Sequence, residues 1–237
     1  MGSGGRTRRG GLDRWRCAGT RQAGRGRRGE AFTFSYAENV ELLEAAGIEV
    51  VTFDPLTGSL PTGVDGIVLG GGFPEVHAAA LSANAGLRHQ IARFAGEGGV
   101  ISGECAGMLY LARSLDGHPM CGVLPISARM TGRLTLGYRG AVALADSVLG
   151  REGERVTGHE FHRTVVEPDP TETTDTTHTS DLADGRTAWG WHDRDGTPHR
   201  EGWVQGRVHA SYLHLHWAGA PRVAASFAAA VGAGELR

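Results

Sequence analysis

Residues 100–111 read Val-Ile-Ser-Gly-Glu-Cys-Ala-Gly-Met-Leu-Tyr-Leu, and this stretch decides the fold that the sequence predicts. An apolar run leads into Gly103-Glu104-Cys105-Ala106-Gly107, and residues compatible with a helix follow directly. This pattern is typical of a nucleophile elbow, in which a sharp turn lifts the central side chain out of the sheet. The central thiol would lie at a helix N-terminus, where the helix dipole favours thiolate. The alternative is a buried structural cysteine beside a glycine-rich turn, and the pattern alone does not separate the two.

Composition limits the classes of function. The 237 residues are 40% hydrophobic with a formal net charge of −2, which suits a folded core and favours no nucleic-acid partner. No apolar run is long enough to span a membrane, and the N-terminus lacks the apolar segment of a secretory signal. Cys17, Cys105 and Cys121 lack metal-like spacing, so we predict a reducing, cytoplasmic environment. Lysine is absent, which excludes a Walker A nucleotide site and Schiff-base chemistry in this chain.

Residues 1–30 differ from the rest of the chain. They contain nine arginines and nine glycines but only two acidic residues, Asp13 and Glu30. A stretch with so few aliphatic side chains is not expected to bury enough surface to fold, so we predict a disordered segment. A basic nucleic-acid arm is the alternative, but only Trp15 could stack on a base. Our hypothesis is that this segment is an artefact of the reading frame.

Residues 31–237 have the pattern of apolar and polar residues that is typical of one α/β domain. Apolar strands at 48–53, 66–69 and 100–102 alternate with helices at 37–47 and 85–95, which predicts a doubly wound, mostly parallel, flavodoxin-like sheet. Alternating polar and apolar residues after the elbow predict an antiparallel extension to this sheet, and an alanine-rich helix closes the domain. Residues 168–187 are rich in Thr, Asp and Pro and predict a flexible insertion.

Thiol chemistry also needs a base and donors for an oxyanion. The triple glycine 70–72 follows a strand and could offer backbone N–H groups at the sheet edge that carries the elbow, although it could equally be a tight turn. Strand alternation predicts His214 and His216 on one face; no carboxylate or cysteine lies nearby to complete a metal set, so we predict no metal site. His159 and His162, around Glu160, form a second polar centre that could contact substrate.

From about Ala31 onward the sequence resembles the C-terminal class I (triad) glutamine amidotransferase domain of cobyrinate or hydrogenobyrinate a,c-diamide synthase. The match extends over about 200 residues in the right order. The segments that carry it are Ala31–Asn39, Gly70–Glu75, the Cys105 elbow, Arg129–Thr131, Leu136–Tyr138, Gly158–His162 and Ala210–His214.

The resemblance implies roles for individual residues. Cys105 would be the acylated nucleophile and His214 its base. Gly71, Gly72 and Ala106 would bind the oxyanion and glutamine. The usual orienting glutamate two residues after the histidine is replaced by His216, which leaves the third triad member unidentified. The candidates for supporting roles are His216, Glu75, His159 and Glu160.

The resemblance also implies a function with partners. Such a domain hydrolyses L-glutamine and supplies ammonia for ATP-dependent amidation of the corrin a and c carboxylates in cobalamin biosynthesis. ATP and Mg²⁺ would bind an N-terminal ATPase and corrin-binding domain that this chain lacks. The chain is therefore expected to be a fragment that works with a partner in trans. It is expected to carry no cofactor itself. A homodimer is left open. The alternatives are a glutaminase of the cobyric acid synthase or cell-wall amidation type, or a catalytically idle domain.

Overall fold

A computed structural model of the protein describes residues 15–20, 31–34, 37–168 and 186–233. The strands are β1 Trp15–Thr20, β2 Ile48–Phe53, β3 Gly66–Leu69, β4 Val100–Glu104, β5 Ser114–Leu115, β6 His118–Pro119, β7 Ile126–Ala143, β8 Arg155–Pro168, β9 Arg186–His192, β10 Pro198–Gln205, β11 Val208–Ser211 and β12 His214–Leu215. The helices are α1 Ala37–Ala45, α2 Ala78–Ala83, α3 Ala85–Gly96, α4 Ala106–Leu111 and α5 Pro221–Gly232, with 3₁₀ turns at Pro74–His77 and Trp217–Gly219. No described helix is both long and apolar enough to cross a membrane.

One half of the sheet is parallel. Its strands run in the order β2-β1-β3-β4-β11, and every neighbouring pair is parallel. This is the flavodoxin-like order 2-1-3-4-5. Helices cover both faces: Leu87 and Ile91 of α3 belong to the core on one side, and Val223 and Phe227 of α5 belong to the core on the other. The prediction of a doubly wound α/β fold is confirmed.

Strand β1 corrects the interpretation of residues 1–30. Residues 15–20 form a strand between β2 and β3, with Cys17 opposite Val50 on one side and Gly66 on the other. Cys17 and Ala18 are fully buried. The prediction of a disordered segment is therefore wrong for residues 15–20, and the rest of that segment lies outside the described residues.

The other half of the sheet is the antiparallel extension. The order β12-β8-β7-β9-β10-β11 continues the sheet through antiparallel pairs, dominated by the long β7–β8 hairpin. Its register shifts between Met130 and Thr135, where the strands form a bulge. The ends of the predicted insertion belong to strands, since Pro168 closes β8 and Arg186 opens β9; the residues between them lie outside the described part of the chain.

Candidate active site

The predicted elbow is present where β4 meets α4. Cys105 takes a backbone φ of 49° and ψ of −99°, an unusual conformation for a residue with a side chain. Its N–H donates to the Ser211 carbonyl of the neighbouring strand at 2.7 Å. A Cβ on Gly107 would lie 2.3 Å from the Leu69 carbonyl oxygen, and one on Gly103 would lie 3.1 Å from the Gly107 carbonyl carbon. Backbone contact therefore excludes a side chain at Gly107, and a side chain at Gly103 would crowd Leu111, whose Cδ1 would lie 2.8 Å from the added Cβ.

His214 lies beside the elbow. The Nδ1 atom of its buried imidazole is 3.0 Å from Oε1 of Glu104, the residue before the cysteine. Burial alone would lower the pKa of His214, but its interactions with Cys105 and Glu104 raise it to about 10. Among the described residues, no group forms a hydrogen bond with His214 Nε2. Because Nδ1 faces the carboxylate, Nε2 is the nitrogen left to exchange a proton with the thiol. The structure brings Cys105 and His214 together as predicted.

His216 takes a different position from the one predicted. The strand does not continue through this region: β11 ends at Ser211, and only His214 and Leu215 pair again, with β8. His214 is buried, whereas His216 is exposed and precedes a 3₁₀ turn. The expected shared face for the two histidines is therefore wrong, and the carboxylate at the His214 imidazole comes from Glu104, which sequence reasoning had not assigned to the site.

Strand β8 supplies a second layer of polar side chains. The His159 ring stacks on His214 with centroids 4.8 Å apart, and burial together with nearby His214 lowers the pKa of His159. Glu160 is buried and accepts a 2.7 Å hydrogen bond from Arg139 Nε. Burial would raise the pKa of Glu160, but the nearby His162 ring and the Arg139 guanidinium outweigh it and lower the pKa. The predicted polar centre thus contacts the base through His159.

The backbone donors near Cys105 are not equivalent. The Gly71 N–H donates to the Phe34 carbonyl at 2.9 Å, so it is not available to an oxyanion, and its predicted role there is wrong. Gly71 instead makes room for the base, since a Cβ on it would lie 2.5 Å from His214 Cε1. Among the described residues, no hydrogen bond takes up the N–H of Gly72 or of Ala106. These two groups are the remaining candidates for oxyanion binding.

Cys105 lines a cleft between the Gly72–Glu75 segment and residues 161–164 of β8. Glu75 lies in its wall, half-buried, and burial raises the pKa of this carboxyl group. Arg163 lines another part of the wall, and the Phe161 carbonyl oxygen lies 4.0 Å from Cys105 Sγ. The cleft therefore places one carboxyl group, one guanidinium group and the thiol around a space suited to a small polar molecule.

The comparisons with known proteins agree with this geometry. Residues 27–221 match the CobB/CobQ-like glutamine amidotransferase domain. The chain belongs to this family. The amidotransferase domain is 57% identical over 202 residues to a hydrogenobyrinate a,c-diamide synthase of Streptomyces coelicolor, covering 84% of this chain and 38% of the relative. It is 41% identical over 199 residues to a cobyrinate a,c-diamide synthase of Gloeobacter violaceus, covering 80% of this chain and 39% of the relative. The chain thus spans about two-fifths of the length of these curated relatives.

Solved structures support the fold of the amidotransferase domain. It superimposes on a glutamine amidotransferase with a TM-score of 0.57 at 20% identity, covering 84% of this chain and 95% of the other. With PurLQS from Thermotoga maritima the TM-score is 0.63 at 15% identity, covering 93% and 99% of the two chains. At these identities the likeness shows the fold alone.

The other two cysteines of the amidotransferase domain lie in different surroundings. Cys17 and Cys121 are both buried, and Cys121 contacts neither the cleft nor His214. Burial raises the pKa of Cys17 to about 12 and raises the pKa of Cys121 further. At neutral pH both therefore hold their protons. Cys105 is the cysteine that combines a cleft with a paired histidine.

Proposed function

We propose that this domain hydrolyses L-glutamine at Cys105 through a thioester and supplies the ammonia to a partner active site. The observation that carries the proposal is that Cys105 lines a cleft and interacts with His214, within a chain that belongs to a glutamine amidotransferase family. The catalytic pair needs no metal or cofactor for this reaction, because a thiolate, a base and backbone donors suffice for acyl transfer.

The proposed chemistry has two halves. Cys105 sulfur attacks the glutamine side-chain carbonyl as a thiolate, because His214 Nε2 already holds the thiol proton at neutral pH. The N–H groups of Gly72 and Ala106 bind the resulting oxyanion. When the C–N bond breaks, His214 returns its proton to the leaving ammonia and a thioester remains. Water then attacks the thioester with His214 again as base, which releases glutamate and restores the thiol.

The cleft complements the free end of glutamine. An amino acid carries an ammonium and a carboxylate on one carbon, and the cleft wall offers the Glu75 carboxyl group and the Arg163 guanidinium. These opposite charges would bind the α-amino and α-carboxylate groups while the amide reaches Cys105. We therefore assign Glu75 to substrate binding.

The proposed acceptor is a corrin. The relatives described above are named as a,c-diamide synthases of hydrogenobyrinate or cobyrinate. By that likeness, the ammonia would amidate the a and c carboxylates in cobalamin biosynthesis, after activation by ATP and Mg²⁺ on a separate ATPase and corrin-binding domain. These 237 residues contain no lysine and therefore no Walker A loop, so we assign the activation to an ATPase part outside these residues.

Exposed apolar side chains, two of them in the wall of the cleft, support docking of that partner. We use the name apolar rim for Phe73, Val76, Leu136, Tyr138 and Phe161, whose exposed fractions range from 39% for Phe73 to 85% for Tyr138. Phe73 and Phe161 also line the cleft that contains Cys105. A partner seated on this rim would cover the mouth of the cleft, so ammonia would leave toward the acceptor.

Two other functions compete with this one. A glutaminase for cobyric acid synthase or for cell-wall amidation would use the same residues, but the named relatives favour the diamide synthases. A catalytically idle domain would keep the fold without turnover. The intact Cys105–His214–Glu104 contacts favour an active enzyme over an idle one.

The decisive experiment measures glutamate release by the full purified chain, alone and with the ATPase part of the Streptomyces coelicolor relative added together with ATP, Mg²⁺ and hydrogenobyrinate. Cys105→Ala is expected to lower turnover by at least about 1,000-fold, because no other group in the cleft can form the thioester. His214→Ala should lose a similar factor.

Cys121→Ala is the matched control, since it removes a buried thiol that lies outside the cleft. It should keep turnover near the wild-type value. Equal turnover in wild type and Cys105→Ala, under both conditions, would refute the enzymatic function. Glutamate release without formation of a corrin amide in the reconstituted mixture would refute the proposed acceptor.

A further inference from the structure

Glu104 occupies a position next to both catalytic groups. It is the last residue of β4, directly before Cys105, and its side chain is 16% exposed. Oε1 lies 3.0 Å from His214 Nδ1, and Oε2 accepts a 3.0 Å hydrogen bond from the Leu215 N–H. The carboxylate is thus held by the backbone beside the histidine while it contacts the imidazole. Both oxygens have a defined partner.

We propose that Glu104 is the positioning residue that orients His214 and fixes its proton on Nδ1. This inference rests on the proposed function and names the group that completes its Cys–His pair. The position after the base where a glutamate would be expected holds the exposed His216 instead. The orienting carboxylate therefore comes from the residue before the nucleophile.

The chemistry of imidazole requires such a partner. A neutral imidazole carries one proton, and it can accept the thiol proton at Nε2 only when Nδ1 holds that proton. A carboxylate at Nδ1 favours this tautomer and then stabilises the imidazolium that forms. Burial opposes the charged ring, so the carboxylate also offsets the cost of removing that charge from water.

Each charged or titratable group that faces His214 fits this assignment. Glu104 and Cys105 approach from the β4–α4 elbow, and His159 approaches from β8. His159 stacks on the ring face and does not reach Nδ1 along the ring plane, and its own lowered pKa keeps it neutral at pH 7. Among these groups, only Glu104 offers an anionic acceptor in contact with Nδ1.

The test compares Glu104→Gln with Glu104→Asp in the full chain. Glutamine has the same shape, but only one of its two terminal atoms accepts a hydrogen bond. Either Nδ1–H or the Leu215 N–H therefore loses its acceptor, and the imidazolium loses its counter-charge. We expect kcat for glutamine hydrolysis to fall by about 100-fold or more with little change in KM. Glu104→Asp keeps the charge and should recover at least about tenfold of that loss.

A second readout does not depend on turnover. The rate at which iodoacetamide alkylates Cys105, followed by peptide mass spectrometry between pH 5 and 9, reports the reactivity of the thiol. In Glu104→Gln the alkylation rate at pH 7 should fall by about tenfold, because the thiolate loses a stable imidazolium partner. Glu167→Gln makes the same change in the exposed Arg129–Glu167 ion pair and should leave both readouts unchanged.

The outcomes separate the two proposals. Wild-type kcat and an unchanged alkylation profile in Glu104→Gln would overturn the positioning role. Equal losses in the Gln and Asp variants, together with a lower melting temperature, would mean a role in folding and would also overturn it. If the wild type hydrolyses no glutamine but Cys105 alkylation still depends on Glu104, the proposed function fails and the positioning role stands.

Discussion

The two halves of the sheet support one active site in opposite ways. In the parallel half, Ile67, Leu69 and Ile101 are completely buried, and helices cover both faces. In the antiparallel half, the β7–β8 hairpin leaves Leu136 62% exposed and Tyr138 85% exposed. Cys105 is therefore supported by a fully buried core. His159, which stacks on His214, belongs instead to a hairpin with one face exposed to solvent. Cys105 is thus held by dense packing, whereas the antiparallel half presents exposed apolar side chains.

The contacts that hold each half differ in kind. At the elbow, backbone atoms meet backbone atoms, as between Gly107 and Leu69, and no side-chain rotation can relieve a clash there. In the hairpin, charge-assisted hydrogen bonds such as Arg139 to Glu160 hold the strands near the site. A small increase in side-chain volume should therefore lower the stability of the protein when it is made at the elbow, and it should be tolerated in the hairpin.

A methyl group added at Gly107 gives the largest expected effect. Gly107→Ala would place Cβ 2.3 Å from the Leu69 carbonyl oxygen, so strand and helix must separate. We expect the free energy of unfolding to fall by more than about 3 kcal/mol, measured by urea denaturation. Gly140→Ala in β7 is the control, because nothing lies within 4 Å of its added Cβ. Similar losses of unfolding free energy in both variants would contradict the proposed difference between the two halves of the sheet.

Acid should weaken the protein through His209 of β11. Burial lowers the pKa of His209 to about 3. Below about pH 6.5 this histidine therefore binds a proton in the unfolded chain but not in the folded chain. Stability from this residue therefore falls as pH falls from 6.5 toward 3, by about 2 kcal/mol between pH 6 and 4.5. Unfolding free energies of wild type and His209→Gln across this range would measure the slope. His192→Gln, at an exposed histidine of β9, should keep the wild-type slope; a wild-type slope in His209→Gln would contradict the assignment.

Substitutions on the apolar rim should have the smallest effect on stability. Leu136→Ser and Tyr138→Ser remove side chains that are mostly in solvent, so the free energy of unfolding should change by less than about 0.5 kcal/mol. If the rim is the docking surface, the same variants should lower corrin amidation in the reconstituted mixture while glutamate release by the isolated chain is kept. A large loss of stability would show that the hairpin is part of the core after all.

The parallel half and the elbow could be read from the sequence because local patterns encode them. The run Gly66–Leu69 has the continuous apolar character of a strand covered on both faces, and the glycines around Cys105 match a turn that tolerates no Cβ. The pairing of Cys105 with His214 came from the family resemblance and is also present in the structure.

The rest depends on contacts between distant residues. The sequence does not predict strand β1, because this six-residue strand is stabilised by pairing with β2 and β3. The arginines and glycines around it dominate the composition of residues 1–30. Glu104 was missed because its role depends on where the chain turns after Ser211, a turn that alternation along 207–217 does not reveal. The same limit applies to Gly71, whose N–H is taken by Phe34 across the chain.

The central place of β1 bears on how the domain can be trimmed. The family match covers residues 27–221, so a chain cut to those limits would lack β1 and nearly all of α5. Cutting there would open a gap inside the sheet between β2 and β3, and it would strip Val223, Phe227 and Val231 from the core on one face. The boundary drawn by similarity is therefore narrower than the unit that folds.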